Sequence, residues 1–178
     1  MKNSLLALVA LVLACLGAQA HAQYVFCKIE GQVQGIIRAG NTVKGQEDTI
    51  PVLSLASGLS TPFDLGSGLP TGRRIHEPLT IVKNLDKASP LLFLVAIQNE
   101  NLKQVDCVFY RTEVSGTGVL TPYFRVKLQN ARIVENDVSG SGQVNAGMRE
   151  TIRIAYERIL VEALPNGPSA EDEWRSQL

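Results

Sequence analysis

This 178-residue sequence has few side chains in the patterns that are typical of catalytic or cofactor-binding residues. His76 and its neighbour Glu77 form the pair best suited to acid–base chemistry, but a histidine in a loop or at a strand edge is more often a structural residue. No serine lies in a G-x-S-x-G turn, and the glycine patterns that cradle phosphates or dinucleotides are absent from the sequence. The sequence therefore predicts that the protein is not an enzyme and needs no cofactor.

Two cysteines remain after the N-terminal segment, Cys27 and Cys107, and each lies in an apolar alternation. Because every second residue of a strand points to the same face, both sulfurs are expected to face one core. A disulfide between them is one outcome, and two unreactive buried thiols are the other. The choice depends on the Cα separation, which a sequence does not give. The cysteines and histidines have no CxxC or zinc-like spacing, so no metal site is predicted.

The elements that would position these residues begin with a strand, a sharp turn and a helix. Residues 79–82 are apolar or β-branched and favour a strand. Ser89 is expected to cap the helix and Pro90 to occupy its first position, where the missing amide would have no helical partner. Residues 91–97 are apolar without interruption, which indicates a helix that is buried on every side. We therefore expect one buried helix over about residues 89–99.

The rest of the chain favours β-strands that are separated by glycine- and proline-rich segments. Strands are predicted over residues 24–31, 49–60, 102–113, 123–135 and 149–164, and loops over residues 32–48, 61–74 and 136–147. In the last strand the apolar positions change parity near Glu157 and Arg158, which predicts a β-bulge. The predicted fold is mainly β: a two-sheet β-barrel or sandwich with one buried helix.

The first residues have the composition of a secretory signal peptide. Lys2 is the positive residue, residues 5–16 are apolar, and cleavage is expected after Ala20 or Ala22. About a dozen apolar residues are too few to span a bilayer, for which roughly 20 are needed. Lipoprotein processing at Cys15 is the weaker alternative, because the residues before it fit a lipobox only loosely. We therefore predict a secreted, extracellular protein, with the periplasm as the alternative location.

These signals divide the chain into three parts. Residues 1–20 are the predicted signal peptide, residues 21–164 the predicted β-barrel domain, and residues 165–178 a predicted flexible polar tail. The sequence carries 17 basic and 17 acidic residues, so its formal net charge is zero. A neutral chain has no electrostatic attraction for nucleic acid, and no membrane span is predicted in the mature part.

One stretch of the sequence resembles a known protein family. His76-x-Pro78, a strand that ends at Lys83, and the run LDKASPLL over residues 85–92 are similar to the strand-to-helix signature of Hcp. Hcp is the haemolysin-coregulated protein of type VI secretion systems. An early strand FCKIEG and a final strand ETIRIAYERI also fit in order and spacing. The resemblance extends over residues 24–164, which is nearly the whole mature chain.

The resemblance implies a structural protein in which no residue is catalytic. Subunits of this family form hexameric rings by lateral sheet contacts, the rings stack into a tube, and the tube is fired through a contractile sheath. Small effectors can travel in the lumen of the ring. The implied partners are therefore further copies of the chain itself, the sheath, a tip protein and small effectors.

The resemblance also implies roles for two sets of residues. The loop over residues 32–48 would reach a neighbour during ring stacking through Arg38, Asn41, Lys44, Glu47 and Asp48. The polar face of the strand over residues 123–135 would line the lumen through Tyr123, Arg125, Lys127 and Gln129. The alternative for this second set is a polar face that simply meets water.

The predicted signal peptide departs from the pattern of this family. Tube proteins generally assemble in the cytoplasm without a Sec signal, whereas a cleaved signal peptide would deliver this chain to the periplasm. The segment is then retained, or it reflects a misassigned start, or the protein has been recruited to another exported role. An exported β-barrel that acts as a periplasmic or extracellular binding module, without tube assembly, is therefore the alternative function.

Overall fold

A computed structural model describes residues 23–112, 119–140 and 147–174 of the chain. The predicted signal peptide and the last four residues of the predicted tail lie outside the described residues. The one helix in these ranges, α1, spans Ser89–Ile97. The strands are β1 (Gln23–Gly31), β2 (Gly35–Ile37), β3 (Ile50–Val52), β4 (Ser54–Ala56), β5 (Leu59–Ser60), β6 (Ile75–His76), β7 (Leu79–Asn84), β8 (Leu102–Thr112), β9 (Leu120–Ser139), β10 (Arg149–Ala163) and β11 (Ser169–Glu173).

The strands form a sandwich-like β fold with one helix among the described residues, which confirms the predicted fold class in its sandwich form. The larger sheet has nine strands, and its hydrogen-bonded path runs β2–β1–β8–β9–β10–β7–β4. Beside this path β3 pairs with β1 and β11 pairs with β10, while β5 and β6 form the second sheet. The named strands pair antiparallel throughout, which allows one face to be apolar and the other polar.

Alternate residues of the long strands point into one core. Cys27 and Ile29 of β1 and Val105 and Cys107 of β8 are buried, as their alternation predicted. Cys27 and Cys107 lie opposite each other in the ladder and are joined by a disulfide, with their Cα atoms 4.0 Å apart. The bond links residues 80 positions apart. Loop-closure entropy assigns such a link a stabilisation of about 4–5 kcal/mol relative to the reduced chain.

The helix begins where the sequence predicted it and ends slightly earlier, at Ile97. Ser89 is not its cap, because Ala88 holds that position and makes no side-chain cap bond. The Ser89 hydroxyl oxygen instead accepts hydrogen bonds from the Asp86 amide at 3.1 Å and from Lys83 Nζ at 3.0 Å. The serine therefore joins the start of the helix to the preceding strand.

Only one side of α1 is buried, so the prediction of a helix buried on every side is wrong. Leu92 and Val95 have no exposed surface, and the helix packs on β9. Leu91, Phe93 and Ile97 are exposed, Phe93 by 52% and Ile97 by 67%. An uninterrupted apolar run has no polar side from which an exposed face can be recognised. The structure thus leaves an apolar helix face in contact with solvent.

Lys83 joins β7, α1 and β10 at a buried point. Its side chain and that of Glu150 are each 1% exposed, and Lys83 Nζ lies 3.1 Å from Glu150 Oε2. The same ammonium group donates to Ser89 Oγ and lies 3.0 Å from Asp86 Oδ1. Glu150 Oε1 accepts a hydrogen bond from Asn136 Nδ2 at 2.9 Å. Because unpaired buried charges are costly, the cluster is stable only as a complete set of partners.

Several predicted boundaries differ from those in the structure. The strand predicted over residues 49–60 is divided into β3, β4 and β5, because these pieces pair with three different strands. The loop predicted over residues 32–48 contains the short strand β2, which pairs with β1. β9 continues to Ser139, within the loop predicted over residues 136–147. In each case long-range pairing overrides the local composition.

The predicted β-bulge is displaced along the β9–β10 ladder. Buried positions of β10 change parity between Tyr156 and Ile159, as the sequence indicated. The register shift, however, falls between Arg153 and Ile154 of β10, and the extra residue is Val134 of β9. The bulged residue is on the partner strand, which the parity of a single strand does not reveal.

The prediction of a flexible tail over residues 165–178 is wrong for much of its described part. β11 pairs with β10, and the Trp174 amide donates to the carbonyl oxygen of Glu157 at 2.8 Å. Glu171 and Glu173 of β11 form ion pairs with Arg158 of β10. Acidic residues do not favour a strand by composition. Cross-strand pairing with a basic residue compensates for this low preference.

Replacing Lys83 by Met should destabilise the fold by about 3–5 kcal/mol, because it leaves the Glu150 carboxylate buried without a cation. The free energy of unfolding in urea measures this effect. Arg153→Met is the matched control, because it removes an exposed ion pair between Arg153 of β10 and Glu135 of β9 and should cost under about 1 kcal/mol. Equal losses in the two variants would contradict the assigned role of Lys83.

Candidate functional site

Buried His76 lies at the centre of a polar cluster between β6, β10 and β11. Its Nε2 is 2.8 Å from Asp172 Oδ2 and its Nδ1 is 3.1 Å from the Tyr156 hydroxyl. The ring of Trp174 stacks on the imidazole, with the centroids 5.5 Å apart. Both ring nitrogens are therefore occupied by partners other than Glu77. The His76–Glu77 pair that the sequence offered for acid–base chemistry is therefore not formed. His76 instead connects β11 to the hairpin that β5 and β6 make.

The electrostatics of this cluster keep Asp172 ionised. Arg74 donates two hydrogen bonds to the Asp172 carboxylate through Nε and Nη2. These bonds, and the one with His76, hold the pKa of Asp172 below its ordinary value. Burial raises the pKa of the neighbouring Tyr156 hydroxyl, so it stays a neutral donor. The arrangement acts as a polar latch on β11.

The structure brings some of the predicted stacking-loop residues together within their own loop. Arg38 Nε donates to Asp48 Oδ1 at 2.5 Å, and Asn41 Nδ2 lies 3.3 Å from the Thr49 hydroxyl oxygen. Glu47 accepts a hydrogen bond from the Gly45 amide, which lowers the pKa of Glu47. Lys44 is exposed. These contacts shape the loop, and a role in ring stacking stays a prediction.

The predicted lumen residues lie on alternate positions of β9, on the face opposite the core. The described set is half-buried and consists of Tyr123, Arg125, Lys127 and Gln129. Arg125 Nε forms an ion pair with Asp106 of β8 at 3.2 Å, and Arg125 Nη1 with Glu162 of β10 at 3.3 Å. Charges of both signs therefore alternate across three strands. This polar face suits either a water-filled channel or plain solvent.

The sequence did not predict that the β5–β6 hairpin has exposed apolar residues. Residues 61–74 between the two strands were predicted only as a glycine- and proline-rich loop. Leu65 is 89% exposed, and Phe63 and Leu69 are also largely exposed. The spacing of apolar residues among the glycines and prolines of this loop was the available signal. Among the described helices, none is long and apolar enough to cross a membrane.

Comparison with known proteins agrees with this architecture. A family profile described as "Type VI secretion system effector, Hcp" matches residues 26–162. This chain belongs to the Hcp family. The "Major exported protein" of Pseudomonas aeruginosa is 33% identical to this Hcp protein over 165 residues, which cover 85% of this chain and 95% of the relative. The family is a type VI secretion family, and the Pseudomonas aeruginosa relative of this chain is described as an exported protein.

Solved Hcp structures share the fold of the chain. A structure described as "Crystal structure of Hcp protein" superposes with a TM-score of 0.79 at 28% identity and covers 86% of this chain and all of its own. Hcp1 of E. coli EAEC 042 gives a TM-score of 0.77 at 25% identity, with 86% of this chain and 99% of that chain covered. The sandwich and its single described helix are therefore those of Hcp proteins.

Acid should release the polar latch on β11. A carboxyl whose pKa is lowered by folding stabilises the fold above its unfolded pKa and loses this contribution as pH falls through its folded pKa. For Asp172 the loss therefore begins below about pH 4. Trp174 directly follows β11 and is the only tryptophan of the sequence, so its fluorescence should shift to the red in this range. Asp172→Asn should show the shifted emission already at neutral pH. An identical acid transition in both proteins would contradict the prediction.

Proposed function

We propose that this Hcp protein is a structural subunit of the type VI inner tube, in which six copies form a ring and rings stack. The observation that carries the proposal is the apolar surface of the β5–β6 hairpin. Leu65 is 89% exposed, Leu69 64% and Phe63 59%. Monomeric proteins rarely expose clustered apolar side chains, and such clusters are typical of protein–protein contacts. The hairpin would bury this surface against another copy.

The exposed face of α1 supports a second contact between subunits. Phe93 and Ile97 are four positions apart and therefore lie on one side of the helix. Leu91 is exposed as well, so the helix presents three apolar side chains to solvent. Burial of a large apolar side chain contributes about 1.5–3 kcal/mol. A neighbouring subunit of the ring would gain this contribution by packing against α1.

The two residue sets from the sequence keep their proposed roles in the tube. Residues Arg38 to Asp48 of the loop would contact the next ring, where the Arg38–Asp48 ion pair holds the loop in shape. The polar face of β9 would line the lumen, because its charges stay hydrated in a water-filled channel. Small effectors would travel there, while the outer wall of the tube would meet the sheath and its end a tip protein.

We further propose that the chain is exported. The predicted signal peptide supports this, and so does the Cys27–Cys107 disulfide, because disulfides form and persist in oxidising compartments such as the periplasm. The curated relative is also described as an exported protein. Export through a signal peptide would favour the second candidate function, a periplasmic or extracellular binding module that does not assemble into a tube.

The oligomeric state separates the two functions. The mature protein should give a six-subunit species by native mass spectrometry and rings in negative-stain images. Leu65→Asp should reduce assembly, because it places a charge in the contact of the hairpin, whereas Leu65→Ile keeps the apolar surface and should assemble normally. Circular dichroism checks that both variants are folded. A monomer at tens of micromolar by light scattering would overturn the tube function and support the binding module.

Processing of the N-terminus tests the export proposal. Cells that express the full chain should accumulate a precursor when signal peptidase is inhibited, and mature protein should leave the cytoplasmic fraction when it is active. A matched variant with Lys2→Glu should export less, because it removes the positive charge at the start of the segment. A full-length species that stays in the cytoplasm under both conditions would refute export by this route.

A further inference from the structure

A surface pocket of about 340 Å³ lies where β8 begins, beside the middle of β9 and β10 and the end of β11. We propose that it binds a hexopyranose unit of a neutral glycan. Its volume is near the lower end of typical ligand pockets, which suits one or two sugar rings. The residues that carry the argument are Asn101, Asn130, Arg132, Tyr156, Glu157 and Trp174.

The backbone of β9 and β10 fixes the polar side of the pocket. Asn130 has a φ of +49°, a left-handed conformation that asparagine tolerates better than most residues. Its two chain neighbours pair with Tyr156 and Arg158 of β10, and its Nδ2 donates to Glu157 Oε2 at 3.0 Å. Arg132 donates through Nη1 to the carbonyl oxygen of Asn99 at 2.5 Å. These bonds hold three planar polar groups in defined orientations before any ligand arrives.

Trp174 supplies the aromatic side of the pocket. Its ring stacks on His76 with an interplanar angle of 28°, and Tyr156 meets it edge to face at 77°. One face of the indole is therefore covered, yet 41% of the residue remains exposed. An exposed aromatic face packs well on the C–H face of a pyranose ring, which is apolar while the ring's edge is polar. The latch of β11 thus presents a preformed platform.

The hydrogen-bonding groups that remain match hydroxyls rather than an ion. In the part of the chain that the structure describes, the Asn101 side-chain amide and the Trp174 indole N–H bond to no protein group. Asn130 and Arg132 line the same pocket, and their side chains also carry an acceptor oxygen and further N–H donors. Donors and acceptors are both present, as a hydroxyl requires. Arg132 and Glu157 carry opposite charges, so the pocket favours a neutral ligand over an anion or a cation.

Trp174 is the single tryptophan of the sequence and lines this pocket, so its emission can follow binding there at neutral pH. The assembled mature protein is titrated with triacetylchitotriose, with maltotriose and, as a charged comparison, with glucuronate. At least one neutral trisaccharide should change the Trp174 emission in a saturable way. Asn101→Ala and Asn130→Gly should weaken this binding about fivefold to tenfold, because each removes hydrogen bonds while glycine accepts the φ of position 130. Gln98→Ala removes an exposed amide outside the pocket and should leave the affinity unchanged.

Calorimetry with Trp174→Phe extends the test to a variant without indole emission, and weaker binding is expected there. The proposal is overturned if neither neutral trisaccharide gives a saturable signal, or if only glucuronate binds. It is also overturned if the pocket variants bind as tightly as Gln98→Ala. Circular dichroism confirms that each variant is folded, so that lost binding is not lost structure.

Discussion

The ion pair between Lys83 and Glu150 is the interaction on which the architecture depends. Both side chains are almost fully buried, so each charge needs the other and needs further hydrogen-bonding partners. The ammonium group finds them in the turn and at the first residue of the helix, while the carboxylate finds one in β9. A shift of β7, α1 or β10 by one residue would leave a buried charge unpaired. The pair therefore fixes the position of the helix on the sheet.

The sequence predicted what is encoded locally and missed what is encoded by distant partners. Pro90 and the apolar run after it identified the helix, because a helix start depends on a few adjacent residues. Glu150 is 67 positions from Lys83, and no pattern along the chain connects the two. β11 was missed for the same reason, since Asp172 and Trp174 are held by His76 of β6 and by Arg74 just before that strand.

The alternation of apolar and polar residues predicted which face of a strand each side chain lies on, but it did not predict which strands pair with each other. It placed Cys27 and Cys107 on the core side of their strands, and the structure pairs these strands in a register that sets the two sulfurs opposite each other. For the candidate sites the same limit holds. Exposed apolar residues in a loop were visible in the sequence, whereas the pocket beside Trp174 exists only because β11 returns to β10.

The core of the protein is complete within one chain, and this separates folding from assembly. The buried cluster draws its apolar residues from β1, β2, β3, β7, α1, β8, β9 and β10 and from residues beside them, and it does not include the hairpin residues Phe63, Leu65 and Leu69. A charge placed on the hairpin therefore removes no contact of this core, and it would act on the proposed contacts between subunits instead. The Cys27–Cys107 disulfide lies within this core, so the surfaces proposed for assembly are separate from the bond that the proposed export would allow to form. On the proposed function, the N-terminal segment would decide where the subunit folds, and the hairpin and the exposed face of α1 would decide what it assembles into.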